Sequence, residues 1–571
     1  MKLGYLSAPV WVLACMAGCG SGQSDQVPAG PGPGGVQCAG FPPASQLQRS
    51  CIRTGAGTPD AWARCGGSLA NEDGNAVAVD WMGNVYLGVG MGDSDQSGRD
   101  IAAHCWGMSE LEYGTVAFDG MSVSTAADED PGLIKYSRNG DVLWVQSAPG
   151  LGGEGEIRGL AVDPVDGSVV AVGDFTGAAE FQPGAPLTSL SRDLFVADYD
   201  PTGQVIWSRT AMILPDPDGP DEAEAWGVAI DPTTELITVT GDFRGTMTLG
   251  ALGPAPIELH ARGSKDMFVA QFDKLGNVLW ADDVGGMGDE SVGWDVTVQT
   301  DGSEIVVGVI AGAAPDHVTD RFNNDVVVIP FGGSAGSDML LVHYAQDGRV
   351  LWVTHAGYPG RYTGGQGVGH DAAGNVYVSG QLANCGLFPR IPLRPGVPPP
   401  PPAFDPALRQ PLCVDTPAAA ALEAPGRVSF VAKYLPDGSL SWVKQSGGSF
   451  AIEVVDDPVI GQFFYIGHDI VNSVTFGIPP GLVQTVSSVA DGVRSHSIAK
   501  YDLEGGLQWV KVVGGTGDSG IEDIAADPVD GAVVGTGNME GTALFPSGET
   551  LTSSSGDLYP RDILLYRFAA H

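Results

Sequence analysis

Carboxylates are the residues of this chain best placed to do chemistry. They recur between repeated segments as Glu72 and Asp73, Glu154 and Glu156, Asp221 with Glu222 and Glu224, Asp289 and Glu290, and Asp518. Oxygen-rich groups of this kind could take calcium, which asks for about six or more oxygen ligands. No DxDxDG loop with a closing Glu organises them, so solvated acidic surface is the competing expectation. Asp221, Glu222, Asp289, Glu290 and Asp518 stand as the candidate cation ligands. A second polar series, Asp80, Asp163, Asp231, Asp371, Asp457 and Asp527, closes a set of apolar runs. These aspartates are expected to cap turns by accepting backbone N–H groups rather than to ring a channel.

Other chemistry is poorly supplied. There is no GxSxG elbow, no HExxH and no P-loop, and the nine histidines are scattered. His343 and His355 read as packed or solvated side chains. No CxxC occurs and His104-Cys105 is a lone dipeptide, so zinc is not indicated. No cofactor is implied, calcium being the one ion the acidic groups suggest. The net charge of −40 repels phosphate backbones and anionic headgroups, which argues against nucleic acid and against direct electrostatic membrane binding.

The start of the chain reads as an address. Lys2 precedes an apolar run from about Leu6 to Ala17, too short to span a bilayer and suited to export. Met16-Ala17-Gly18-Cys19 resembles a bacterial lipobox, although Met16 stands where Leu is usual. The resemblance implies a signal peptide over 1–19 and lipidation of Cys19. Gly20 in place of Asp implies sorting to the outer membrane or cell surface. Residues 20–59 read as a Gly/Pro-rich tether and a Cys-containing lead-in. Six later cysteines, Cys38, Cys51, Cys65, Cys105, Cys385 and Cys413, form an even set suited to disulfides in an exported chain. Cys385 and Cys413 share one loop and are expected to pair; the pairing of the other four is open.

The elements that position all this are repeated. "YDPTGQVIW" (199–207) returns as "FDKLGNVLW" (272–280) and "YDLEGGLQW" (501–509). Around it lie "GLAVDPVDGSVVAVG"-type segments and "FVAKY"-type segments, rich in Val, Ile and aromatics and bounded by Gly, Pro and Asp. Each set reads as four strands, a to d. The d-strand tryptophan occurs seven times, at Trp62, Trp144, Trp207, Trp280, Trp352, Trp442 and Trp509. Four-stranded units at this spacing predict an all-β, seven-bladed β-propeller over 60–571. The chain opens on a d strand and ends on a c strand, so the N-terminal strand is expected to complete the last blade and remove two exposed edges.

The motif "DxxGNVYVxG" followed by "FVAKYDxxGxxxW" and Gly-Gly resembles the bacterial seven-bladed β-propeller repeat family, frequent in exported proteins and lipoproteins. The c–d turns also resemble the Asp-box of sialidase-type propellers, but their spacing is longer and the chain is poor in arginine. The resulting expectation is a monomeric, lipid-anchored binding scaffold. Its partner, a protein or glycan, would meet the face bearing the long b–c connections, chiefly 90–130 and 380–427. Two alternatives are a carbohydrate-active hydrolase or lyase, and a structural envelope protein without a specific ligand. Two carboxylates and a base converging at the central mouth would favour the enzyme.

Overall fold

Gly, Pro and Asp interrupt this sequence too often for helices, and the apolar runs between them are short enough to pair as strands. The computed structural model is accordingly all-β among its described residues, with antiparallel sheets throughout. It describes residues 51–570 apart from 56, 59–60, 69–71, 93–114, 126–128, 151–152, 215–221, 252, 254, 288–289, 313–314, 332–335, 384, 398–408, 414–426, 447–450, 478–480 and 554–560.

Seven times the chain lays down four antiparallel strands in the order a, b, c, d. The a strands are Asp73–Val79, Gly155–Val162, Ala223–Ile230, Ser291–Val298, Thr363–His370, Ala451–Asp457 and Ser519–Ala526. They number the units 1 to 7. In unit 7 the fourth strand comes from the start of the chain. Trp62–Gly67 pairs with Asp562–Phe568 in the register Trp62↔Arg567 to Gly66↔Ile563.

Each a strand packs on the a strand of the next unit, and that of unit 7 packs on that of unit 1. Asn538 Nδ2 donates to Asp73 Oδ1 at 2.8 Å, and Val77 N to Asp523 Oδ2 at 2.9 Å, across the last of these contacts. The apolar core is divided in the same way. Each of seven clusters lies between two neighbouring units, the one joining units 7 and 1 holding Val534, Ile563, Leu565, Val77, Leu87 and Ile134.

The repeated tryptophan serves this packing. Trp62, Trp144, Trp207, Trp280, Trp352 and Trp509 each donate their indole N–H to a backbone carbonyl of the following unit, at Arg138, Pro201, Lys274, Gln346, Pro436 and Ala570, over 2.9–3.3 Å. The first five acceptors lie in c–d turns. The turn glycine lies flat on the indole: Gly276 has φ +74°, and a Cβ there would sit 2.7 Å from the Trp207 ring. Glycine is therefore required twice over, by the left-handed backbone and by the indole beneath it.

The b–c connections are more ordered than a variable loop. Each contains a two-stranded hairpin, as in Ala178–Gln182 with Ala185–Thr188 or Ser473–Phe476 with Gln484–Ser487. Several hairpins extend the preceding unit at its d strand. Phe118 and Ala117 pair with Gly66 and Gly67, His317 and Asp316 with Gly285 and Gly286, and Leu544 and Ala543 with Gly514 and Gly515. This accounts for the Gly-Gly after the tryptophan. A Cβ on Gly285 or Gly67 would strike the buried carboxyl of Asp266 or Asp562.

Part of the lead-in is a paired strand. Ile52–Thr54, inside the stretch read as tether and lead-in, pairs with Thr550–Thr552 of the unit 7 hairpin. Cys51 and Cys65 form a disulfide with Cα atoms 6.1 Å apart, tying this strand to the last unit. Among the described residues no helix is long and apolar enough to cross a membrane.

Candidate functional site

The aspartates that end the a strands are turn caps. Asp80 Oδ1 accepts the backbone N–H groups of Met82 and Asn84, Asp371 Oδ1 those of Ala373 and Asn375, and Asp457 Oδ1 those of Val459 and Ile460. Asp163, Asp231 and Asp527 cap in the same way. In unit 4 the position is Gln299, which donates to the carbonyl of Gly374 in the next unit.

The described candidate cation ligands have protein partners. Glu222 and Glu290 meet on Arg244, at 2.7 and 3.8 Å, and Glu222 also reaches Lys265 at 2.9 Å. Asp518 stands apart, accepting the backbone N–H of Arg494. Asp221 and Asp289 lie outside the described residues, as do Cys19, Cys38 and Cys105. Asp163, Asp166 and Glu235 are close enough together to share an ion. Lys274 Nζ already bridges all three, lying 3.1 Å from Asp166 and 3.6 Å from Glu235. Cys385 is disulfide-bonded and stands directly opposite Cys413 in the ladder of its hairpin. His343 and His355 are buried. His355 Nδ1 lies 2.9 Å from Asp338 Oδ2, and burial pushes His343 down to about 4.

Sequence reasoning named Glu154, Glu156 and Glu224 but missed the denser cluster they join around the a strands of units 1 to 3. Six of the seven a strands carry a β-bulge, leaving Asn75, Arg158, Trp226, Trp294, Gln366 and Glu522 without a ladder partner. A bulge re-aims a side chain. Here it links neighbouring units. Asn75 donates to Glu156, the Arg158 guanidinium lies 4.0 Å over the Trp226 ring, and Trp226 meets Trp294 edge-on at 4.8 Å.

Around Arg158 gather Glu156 at 2.7 Å, Glu224 at 3.7 Å and Asp174. Lys265 Nζ joins Asp242 at 2.7 Å and Glu224 at 3.6 Å, and Arg192 reaches Glu154 at 3.2 Å. Burial works against ionisation of Asp174, yet Arg158 and Arg192 overcome it and hold that carboxyl below its usual range. Glu224 is pushed up to about 7 by burial, with Asp174 and Asp242 adding to the shift and Arg158 opposing it. Glu129 goes well above its usual range through burial and the neighbouring Glu156. The cluster therefore holds an ionised carboxylate, Asp174, beside a carboxyl that titrates near neutrality, Glu224.

No family model matches this chain, and no curated protein does. Among solved structures it is similar to Hadza microbial sialidase Hz136, at 10% identity over 92% of this chain and 93% of that one, with a TM-score of 0.34. An ACO/RPE65 chimera is similar at 10% identity over 88% and 95%, with a TM-score of 0.35. A protein of unknown function from Bacteroides caccae shares 8% identity over 55% and 90%, with a TM-score of 0.22. These TM-scores are too low to carry an argument about fold or activity.

Proposed function

We propose that the seven units are blades of one closed seven-bladed β-propeller, resembling the bacterial repeat family, and that it serves as a binding scaffold at the cell envelope. The chain is exported by the segment 1–19, anchored through a lipid on Cys19, and displayed at the outer membrane or cell surface as a monomer. Its partner is a protein or glycan that meets the hairpin face. One observation carries this reading: every b–c connection presents a hairpin, and these hairpins differ in length and side chains from unit to unit. The a–b and c–d turns on the other side are short, and most share an Asp cap or a left-handed glycine. Specific recognition needs surface that differs around the ring, and the hairpins supply it.

The test replaces 386–412 with a short Gly/Ser linker and compares envelope partners retained by the full chain and by the variant. The variant is expected to stay folded but to lose some stability with buried Phe388, and to lose one defined partner that a Phe388→Ala control retains. Retention of that partner, together with its loss when the a–b turns are altered, would sink the proposal. Cys19→Ser is expected to abolish palmitate labelling and envelope fractionation.

The Arg158 cluster favours a second reading, a carbohydrate-active hydrolase or lyase. Asp174 and Glu224 would supply the ionised and protonated carboxyls, and Glu224→Gln would remove any turnover of neutral oligosaccharides.

A further inference from the structure

The a–b turns carry apolar side chains that capping does not use. After the capping aspartate, units 6, 7, 1 and 2 place Val459, Val529, Trp81 with Met82, and Val165 at the turn tip, each 45–91% exposed. The prolines before the three valines, Pro458, Pro528 and Pro164, are exposed as well. Units 3 to 5 put Thr233 and Thr234, Thr300 and Asp301, and Ala372 and Ala373 in the same places. The large apolar tips therefore fall on four consecutive units, spanning the contact of the last unit with the first. These four turns touch in series. Ile460 lies against Gly531. Arg138 reaches Asp527 at 3.0 Å and lies 2.6 Å from where a Cβ on Gly83 would stand. The Trp81 ring lies 2.8 Å from the corresponding point at Gly167. Exposed Leu275 and Leu435, in the c–d turns of units 3 and 5, flank the arc at its two ends. A contiguous apolar surface rimmed by polar groups marks contact with a partner or a membrane.

We propose that this arc rests on the headgroup region of a zwitterionic bilayer and turns the hairpin face away from it. The contact depends on the lipid anchor and the closed ring proposed above. The attachment of the chain favours a membrane over another occupant. The described chain begins on unit 7, in the middle of the arc, where Ile52–Thr54 pairs with Thr550–Thr552 and Cys51 is bonded to Cys65. Residues 20–50 separate a lipid on Cys19 from Cys51, and a Gly/Pro-rich linker of that length spans about 30 Å as a coil. The anchor therefore holds unit 7 and its neighbours close to the bilayer. A tryptophan beside shallow apolar tips suits the membrane–water interface. Charge sets the lipid class. The carboxylates beneath three of the turns are matched, Asp80 by Lys135 at 3.5 Å, Asp163 and Asp166 by Lys274, and Asp527 and Asp530 by Arg567 and Arg138. They add little repulsion at a neutral surface, whereas the net charge of −40 opposes an anionic one.

The experiment holds the full chain on phosphatidylcholine vesicles, through its own lipid or through a hexahistidine tag in place of Cys19. It reads a polarity-sensitive fluorophore on a cysteine introduced by Val459→Cys, Val165→Cys or Leu190→Cys. Leu190 is fully exposed in the b–c connection of unit 2, on the other face. The fluorophore at 459 and at 165 is expected to shift to the blue and to be quenched by nitroxide-labelled lipid, and the one at 190 to emit as in water. Val529→Asp with Met82→Asp should reduce the quenching at 459, since losing two apolar tips lowers the contact equilibrium by about tenfold or more. These positions are exposed, so the fold is kept. Adding phosphatidylglycerol should also reduce the quenching. Water-like emission at 459 and 165, or quenching unchanged by the paired substitutions, overturns the proposal. So does self-association that the same substitutions abolish while lipid contact is absent, which would assign the arc to a second copy. Absence of palmitate labelling would refute the lipid anchor alone, because the tagged chain still reports the contact. Failure of ring closure shows separately, as no cross-link between positions 73 and 538.

Discussion

Gly276→Ala isolates the contact that makes the repeat recur. The new methyl meets two penalties. The backbone at φ +74° disfavours any side chain, by about 1–2 kcal/mol. The Cβ would also lie 2.7 Å from the Trp207 ring, and over-packing of this kind costs roughly 1–3 kcal/mol. The expected loss is therefore about 2–5 kcal/mol. Gly184→Ala serves as the control, because Gly184 has φ +77° with nothing within 4 Å of its missing Cβ, so only the backbone penalty of about 1–2 kcal/mol applies. Trp207→Ala removes the indole, and in that background Gly276→Ala should cost no more than the control. The assay is urea unfolding followed by far-ultraviolet circular dichroism, which does not depend on the deleted tryptophan. A coupling of about 1–3 kcal/mol between the two sites is expected. If Gly276→Ala costs the same with and without Trp207, the indole is not what excludes a side chain from the turn.

Three further outcomes follow from buried groups. Burial pushes Glu304 up to about 8, so the folded chain holds an extra proton between the ordinary carboxyl range and pH 8, and stability falls as pH rises through that window. Glu304→Gln should remove this slope and gain roughly 3–5 kcal/mol on the parent by pH 8, and parallel pH curves would contradict it. His468 is fully buried, has no hydrogen-bond partner and is pushed down to about 3 by burial, so its contribution is intact above the ordinary histidine range and is lost as pH falls toward 3. His468→Phe should therefore stabilise the chain more at pH 4 than at pH 7, measured by thermal unfolding at both. Replacing Cys51 and Cys65 with alanine opens a loop of 14-residue separation and should cost about 3 kcal/mol in denaturant titration.

The repeat was legible because its residues answer to local rules. Asp before a turn, Gly at a left-handed position and Trp at a fixed offset each mark one place in each unit, so strand order and the pairing of 62–67 with 562–568 could be read without coordinates. The hairpins in the b–c connections were not legible as such. Thr246–Leu249 and Thr542–Leu544 are only four and three residues long, and each also pairs with a segment distant in sequence, Met212–Leu214 and Gly514-Gly515, which local pattern does not reveal. The cluster around Arg158 was hidden for a related reason. A bulge shifts Arg158, Trp226 and Trp294 out of the alternation on which strand reading relies, and the contacts between them join different units. Of the acidic residues that were legible, Glu222, Glu290 and Asp518 met arginine side chains and backbone donors, while Glu154, Glu156 and Glu224 joined the cluster whose basic and aromatic members were not.

Closure of the ring between unit 1 and unit 7 underlies the whole account, and a cross-link tests it directly. Asp73 and Asn538 are 465 residues apart in sequence, yet their side chains meet at 2.8 Å. The variant carrying Asp73→Cys and Asn538→Cys, oxidised at low protein concentration and digested, is predicted to yield one intramolecular disulfide joining the peptides that contain these positions, with unfolding shifted upward relative to the reduced form. Only intermolecular cross-links, or none between these two positions, would contradict the closed ring.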